Sequence, residues 1–166
     1  MIGVLGRKMA SFARAPLFTK LWFLPAWMLL GLGRLAVLLV PFRQIAPALG
    51  TAAGTDAQIP LLTPDQRQRA LLVGRTVRMA ARYAPWQANC FAQAIAASLM
   101  LRLHHIPYAI FFGLRRASAP DHAPAPAPIE AHAWTAAGGV AITGGYGFDS
   151  FTVVAVFHTL PMAPSP

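Results

Sequence analysis

The chain has a single cysteine, Cys90, among its 166 residues, so no internal disulfide can form and the fold must rest on packing. That usage suits a reducing compartment, read here as the cytoplasm. Acids are scarce too: 5 Asp and Glu stand against 14 Lys and Arg, and the net charge of +9 favours anionic surfaces, acidic peptides or lipid headgroups. The bases form no run and match no nucleic-acid motif. Arg67, Arg69, Arg75, Arg78 and Arg82 read instead as a solvated helix face, which argues against nucleic-acid binding. No spaced cluster of His, Cys or carboxylates is present, so neither a metal nor a cofactor is expected.

An uninterrupted membrane-length apolar run is also missing. Hydrophobic residues make up 56% of the chain, and the excess gathers in LWFLPAWMLLGLGRLAVLLVPF, Leu21 to Phe42. Its longest uncharged stretch there, Leu21 to Gly33, is 13 residues, short of the roughly 20 that a spanning helix needs. Arg34 would cost about 2.5 to 3.5 kcal/mol at mid-span, and Pro25, Gly31 and Gly33 weaken a single straight helix. The expectation is one or two helices packed on the domain, with membrane-surface contact through the flanking bases and a true anchor as the rival. Gln44 to Pro60, rich in Ala, Gly, Thr and Pro, reads as a linker. The division is then an apolar N-terminal segment and linker over 1–60 and a core over 61–160, packed as one unit.

Thr63, Pro64, Asp65 and Gln66 spell a helix start: an N-cap, a proline at the first helical position, an acid for the dipole and a capping-box partner. A second helix begins at or beside Cys90 and runs to Leu103, before His104, His105 and Pro107. YAIFFGL, Tyr108 to Leu114, reads as a buried strand. The proline-alanine segment Arg115 to Pro128 follows as a loop. Alternation from Glu130 to Thr135, Val140 to Thr143 and Phe151 to Phe157 gives further strands, separated by Gly138-Gly139 and Gly144-Gly145 turns. The reading is α+β: helices first, then a small antiparallel meander.

A thiol in the first turn of a helix faces unpaired N–H groups and the positive end of the dipole, which favour the thiolate. The plain alternative for Cys90 is a small buried hydrophobe. A base decides between them. Among the five histidines, His104 and His105 lie about 20 Å along the helix from Cys90 and suit its C-terminal carbonyls. His122 falls in the proline-rich loop and His158 near the tail, both read as solvated. His132, on a strand with Trp134 on its own face, is the remaining candidate. It would accept the thiol proton and return it to a leaving amine. Asp149 is the one acid downstream of His132 and is assigned to orient the imidazole, with a water or a backbone carbonyl as the alternative. For the oxyanion, the Cys90 N–H and the side chain of Gln87 or Asn89 are available, although Asn89 also suits a helix cap.

The order of NCFAQAIAASLMLRLHHIPYAIFFGL, EAHAWTAAGGVAITGG and FDSFTVVAVF resembles the transglutaminase-like cysteine peptidases of lasso-peptide biosynthesis, and LGRLAVLLVPFRQIAPALG is similar to the leucine-rich helix that opens such proteins. The resemblance implies a transglutaminase or papain-like core with Cys90 as nucleophile, His132 as base and an acid as orienter. Relatives often carry acids just after the His-Ala-Trp element, where this chain has Thr135, Ala136, Ala137, Gly138 and Gly139. The implied activity is removal of the leader from a ribosomal precursor peptide before macrocyclisation. The implied partners are that precursor, a separate leader-recognition protein and an asparagine-synthetase-like cyclase. Two alternatives stay open: a non-catalytic, membrane-associated scaffold of the biosynthetic complex, and an acyltransferase that uses the same Cys-His site.

Overall fold

The computed structural model describes residues 12–55, 59–117, 128–145 and 148–159. Among the described residues four helices precede most of a five-stranded antiparallel sheet, the α+β order expected from the sequence.

Helix α1, Leu17–Leu39, is one continuous helix through Pro25, so the weakening expected from Pro25, Gly31 and Gly33 does not divide it. Packing outweighs propensity here. Ala26, Leu30 and Gly33 are buried against the rest of the domain, and a Cβ on Gly33 would lie 3.2 Å from the carbonyl oxygen of Ala92. That glycine lets α1 touch the first turn of the helix that carries Cys90. The segment read as a linker folds as α2, Phe42–Leu49, and a short edge strand β1, Thr51–Ala52. Its turn chemistry is weak, but the amphipathic FRQIAPAL buries Ile45 and Leu49.

Helix α3, Pro64–Tyr83, starts as its sequence dictates. Thr63 Oγ1 accepts from the Gln66 N–H at 3.2 Å, and Gln66 Oε1 accepts from the Thr63 N–H at 3.1 Å. Helix α4, Cys90–Leu103, is capped by Asn89, whose Oδ1 accepts from the Ala92 N–H at 3.0 Å. Val73, Val77, Met100 and Leu101 of these helices meet Ile110 and Ile142 of the sheet in the core.

The remaining strands are β2, Ala109–Arg116, β3, Ile129–Ala137, β4, Val140–Thr143, and β5, Thr152–His158. Strands β2, β3 and β4 follow one another as hairpins, but the sheet order is β1-β5-β2-β3-β4. The expected meander is therefore corrected at its last step: β5 crosses back and pairs with β2, with Phe111 opposite Val156. Its far edge receives β1, where Thr51 pairs with His158. Tyr108 ties the layers together, accepting from Arg102 Nη2 at 2.8 Å and donating to the Leu49 carbonyl at 3.1 Å.

Candidate active site

Cys90 is the first residue of α4 and is half-buried. Asn89 occupies the Ala92 N–H, which leaves the N–H groups of Cys90 and Phe91 without an intrahelical acceptor. The thiol lines a cavity of about 390 Å³ whose walls include Phe42, Phe91, Phe112, Leu114 and Val154. Phe112 meets Phe42 and Phe91 edge-to-face or nearly so, with ring centroids 5.3 and 5.2 Å apart. The chamber beside the sulfur is thus walled by apolar side chains.

His132 lines the same cavity from strand β3. Its Nε2 lies 2.7 Å from the carbonyl oxygen of Gly144, so Nε2–H donates and Nδ1 is the basic nitrogen. The ring is stacked on Trp134 at 6.0 Å and tilted against Phe151 at 5.1 Å. Phe112, which touches Phe91 of α4, pairs with Ala133, so α4 packs on the Ala133 face and His132 approaches from the opposite pleat. Among the described residues no hydrogen bond joins the thiol to the imidazole. A side chain on the opposite pleat does not reach the thiol as placed, so the structure lines one cavity with Cys90 and His132 but does not bring them together as a hydrogen-bonded dyad.

Asp149 does not hold the imidazole in this arrangement. It sits exposed in a 3₁₀ turn, Phe148–Ser150, at the entry to β5. The expectation needed β5 beside β3, whereas β2 lies between them. The neighbour on the far side of β3 is β4, and the glycine just after β4 supplies the acceptor. Gly144 has φ +97°, and a Cβ there would collide with Trp134. Its carbonyl takes the place assigned to the acid, which is the backbone-carbonyl alternative. Gln87 is exposed and is not among the residues lining the cavity, so the backbone N–H groups of Cys90 and Phe91 are the oxyanion donors this geometry offers.

The other histidines also differ from expectation. His104 packs against Phe18 and Trp22, ring centroids 5.3 and 4.8 Å away, and its buried Nε2 has no partner among the described residues. Burial first, then the positive charge of Arg69, then His105, hold its pKa below the ordinary histidine value. Nδ1 of His158 is buried as well, because the ring belongs to the end of β5 and not to a free tail. His122 lies outside the described residues.

A second cavity, about 510 Å³, opens on the other side of His132 and is lined by Arg115, Glu130, Gly144, Ser150 and Phe151. Arg115 Nε pairs with Glu130 at 2.6 Å and its Nη1 donates to Ser150 Oγ at 3.1 Å. This polar side was not read from the sequence, which placed Arg115 at the start of the proline-alanine loop, whereas β2 continues through Arg116. The pairing of Arg115 with Glu130 follows from strand register, which sets them opposite each other. No group of three or more His, Cys, Asp or Glu side chains that could hold a metal ion occurs among the described residues.

Compared with known proteins, the chain matches the family model of the Transglutaminase-like superfamily over residues 36–156, a span that contains α2, Cys90, His132 and most of the sheet. No curated protein and no solved structure matches the chain.

Proposed function

The chain belongs to the transglutaminase-like superfamily, which includes cysteine peptidases, and from that premise we propose that it removes the leader from a ribosomally made lasso-peptide precursor. The observation that carries the reading is one cavity lined by both Cys90 at a helix start and a histidine whose Nε2 is already held. The resemblance of NCFAQAIAASLMLRL and EAHAWTAAGG to the lasso peptidases supports the narrower substrate.

In the proposed reaction substrate binding brings the His132 ring within reach of Cys90, and its Nδ1 takes the thiol proton as the sulfur attacks the scissile carbonyl carbon. The oxyanion is met by the Cys90 and Phe91 N–H groups. Collapse breaks the C–N bond, His132 protonates the departing amine, and the leader is left as a thioester on Cys90. Water, activated by the same imidazole, then releases it. An amine acceptor in place of water would make the protein an acyltransferase through the same thioester. The apolar chamber receives a side chain of the substrate next to the cleaved bond, and the Arg115–Glu130 side faces the polar backbone beyond it. A separate leader-recognition protein presents the precursor in the cytoplasm, and an asparagine-synthetase-like cyclase receives the core.

The test is precursor cleavage followed by mass spectrometry with the recognition partner present. Wild type is expected to release leader and core, and Cys90→Ala and His132→Ala are not. Cleavage by Cys90→Ala at the wild-type rate would overturn the catalytic reading and favour the scaffold.

A further inference from the structure

Helix α1 presents Leu17, Leu21, Leu24, Met28, Leu32, Leu35 and Leu39 to solvent, each at least half exposed. They recur every three or four residues from the first position of the helix to the last, about 3.7 per turn, and form a straight stripe about 33 Å long. A left-handed coiled pair needs the shorter 3.5-residue repeat. At about 3.7 residues per turn the stripe stays close to straight along one side of α1, so a flat surface can meet its whole length.

The opposite face is committed. Thr19, Ala26, Leu30 and Gly33 are buried, and Thr76 Oγ1 donates to Thr19 Oγ1 at 3.1 Å inside the domain. Trp27 lies against Trp86, centroids 4.6 Å apart. By length and composition α1 is apolar enough to cross a bilayer, but crossing would strip that packed face from α3 and α4. Charge completes the picture: six Lys and Arg and no Asp or Glu precede Asp56. Among these, Arg14, Lys20 and Arg43 are exposed on and around α1. Such a set repels a second copy of the same face and attracts anionic headgroups.

We propose that α1 lies in the plane of an anionic membrane surface, its leucine stripe in the acyl boundary, while its other face stays packed on the domain. This does not depend on the chemistry of Cys90. The stripe runs toward Phe42, which also walls the Cys90 cavity, so the cavity is held near the lipid surface.

The experiment is sedimentation of the full chain with phosphatidylcholine vesicles, with or without phosphatidylglycerol. The expected result is pull-down by the anionic vesicles, weakened by salt and reversed by alkaline carbonate. Leu24→Glu/Met28→Glu/Leu32→Glu, all at exposed positions, should bind at least about tenfold more weakly with an unchanged circular dichroism spectrum. Lys20→Glu/Arg43→Glu, which leaves the stripe intact, should lose a similar factor. Equal binding by both variants, no binding by wild type, resistance to carbonate, or a lipid-free dimer that the triple variant dissociates would each overturn the proposal. The last would identify a second copy as the occupant, and carbonate resistance a spanning helix.

Discussion

The Nε2 of His132 is held by a backbone oxygen, that of Gly144 at 2.7 Å, and not by a carboxylate. A neutral carbonyl fixes the ring's tautomer as an acid would, but it brings no full negative charge to stabilise the imidazolium.

Asp149→Asn is therefore expected to change cleavage by less than about threefold, since a residue away from the reacting groups has little transition-state stabilisation to lose. Kinetics on the precursor check this. A loss of a hundredfold or more would return the orienting role to Asp149.

Gly144→Ala should do the opposite. A side chain at φ +97° that meets Trp134 adds strain of about 1 to 3 kcal/mol and displaces the carbonyl from the imidazole. Both the melting temperature and kcat are expected to fall, whereas Gly145→Ala, also at positive φ (+73°) but with open space around its Cβ position and no carbonyl on the imidazole, should lower stability and leave kcat closer to wild type.

The cavity beside Cys90 sets selectivity. Leu114→Arg would place a cation in a chamber with almost entirely apolar walls. The ratio of kcat/KM for precursors with a large apolar residue next to the cleaved bond over those with a small polar one should drop by about tenfold or more, the scale on which pocket contacts discriminate. An unchanged ratio would mean that the substrate does not use this chamber.

His104 contributes a pH dependence to the stability. Its pKa is lowered in the fold by burial, Arg69 and His105, so the unfolded chain binds the proton more readily. The contribution is fully present above the ordinary histidine value of about 6.5 and is lost as pH falls toward the lowered value. In urea melts wild type should lose stability as pH falls through that window, whereas His104→Gln should show a flatter pH dependence there. A wild type with no slope there would rule the effect out.

Features that depend on neighbours in the chain were legible in the sequence. The capping box of Thr63 and Gln66, the Asn89 cap, the helix start at Cys90 and the His132 strand all follow from residue types within a few positions. What escaped depends on distant partners. Pro25 and Gly33 look like helix breakers until Ala92 is seen to need the space, and Gln44 to Pro60 looks like a linker until Phe42–Leu49 folds as a helix and Thr51 finds His158. The acceptor for His132 had no residue-type signal at all, because every residue has a carbonyl. Only the placement of β4 beside β3 selects that of Gly144.

The pairing of Thr51 with His158 also sets the order in which the chain can fold. Edge strand β1 leaves the ribosome long before β5, the strand it must pair with, so the sheet can close only after synthesis of the last strand. Through that interval the leucines of α1 are already outside, with the helices that cover their other face arriving piecemeal. Such a nascent chain carries an aggregation hazard that a chaperone, or early capture by a lipid surface, would relieve.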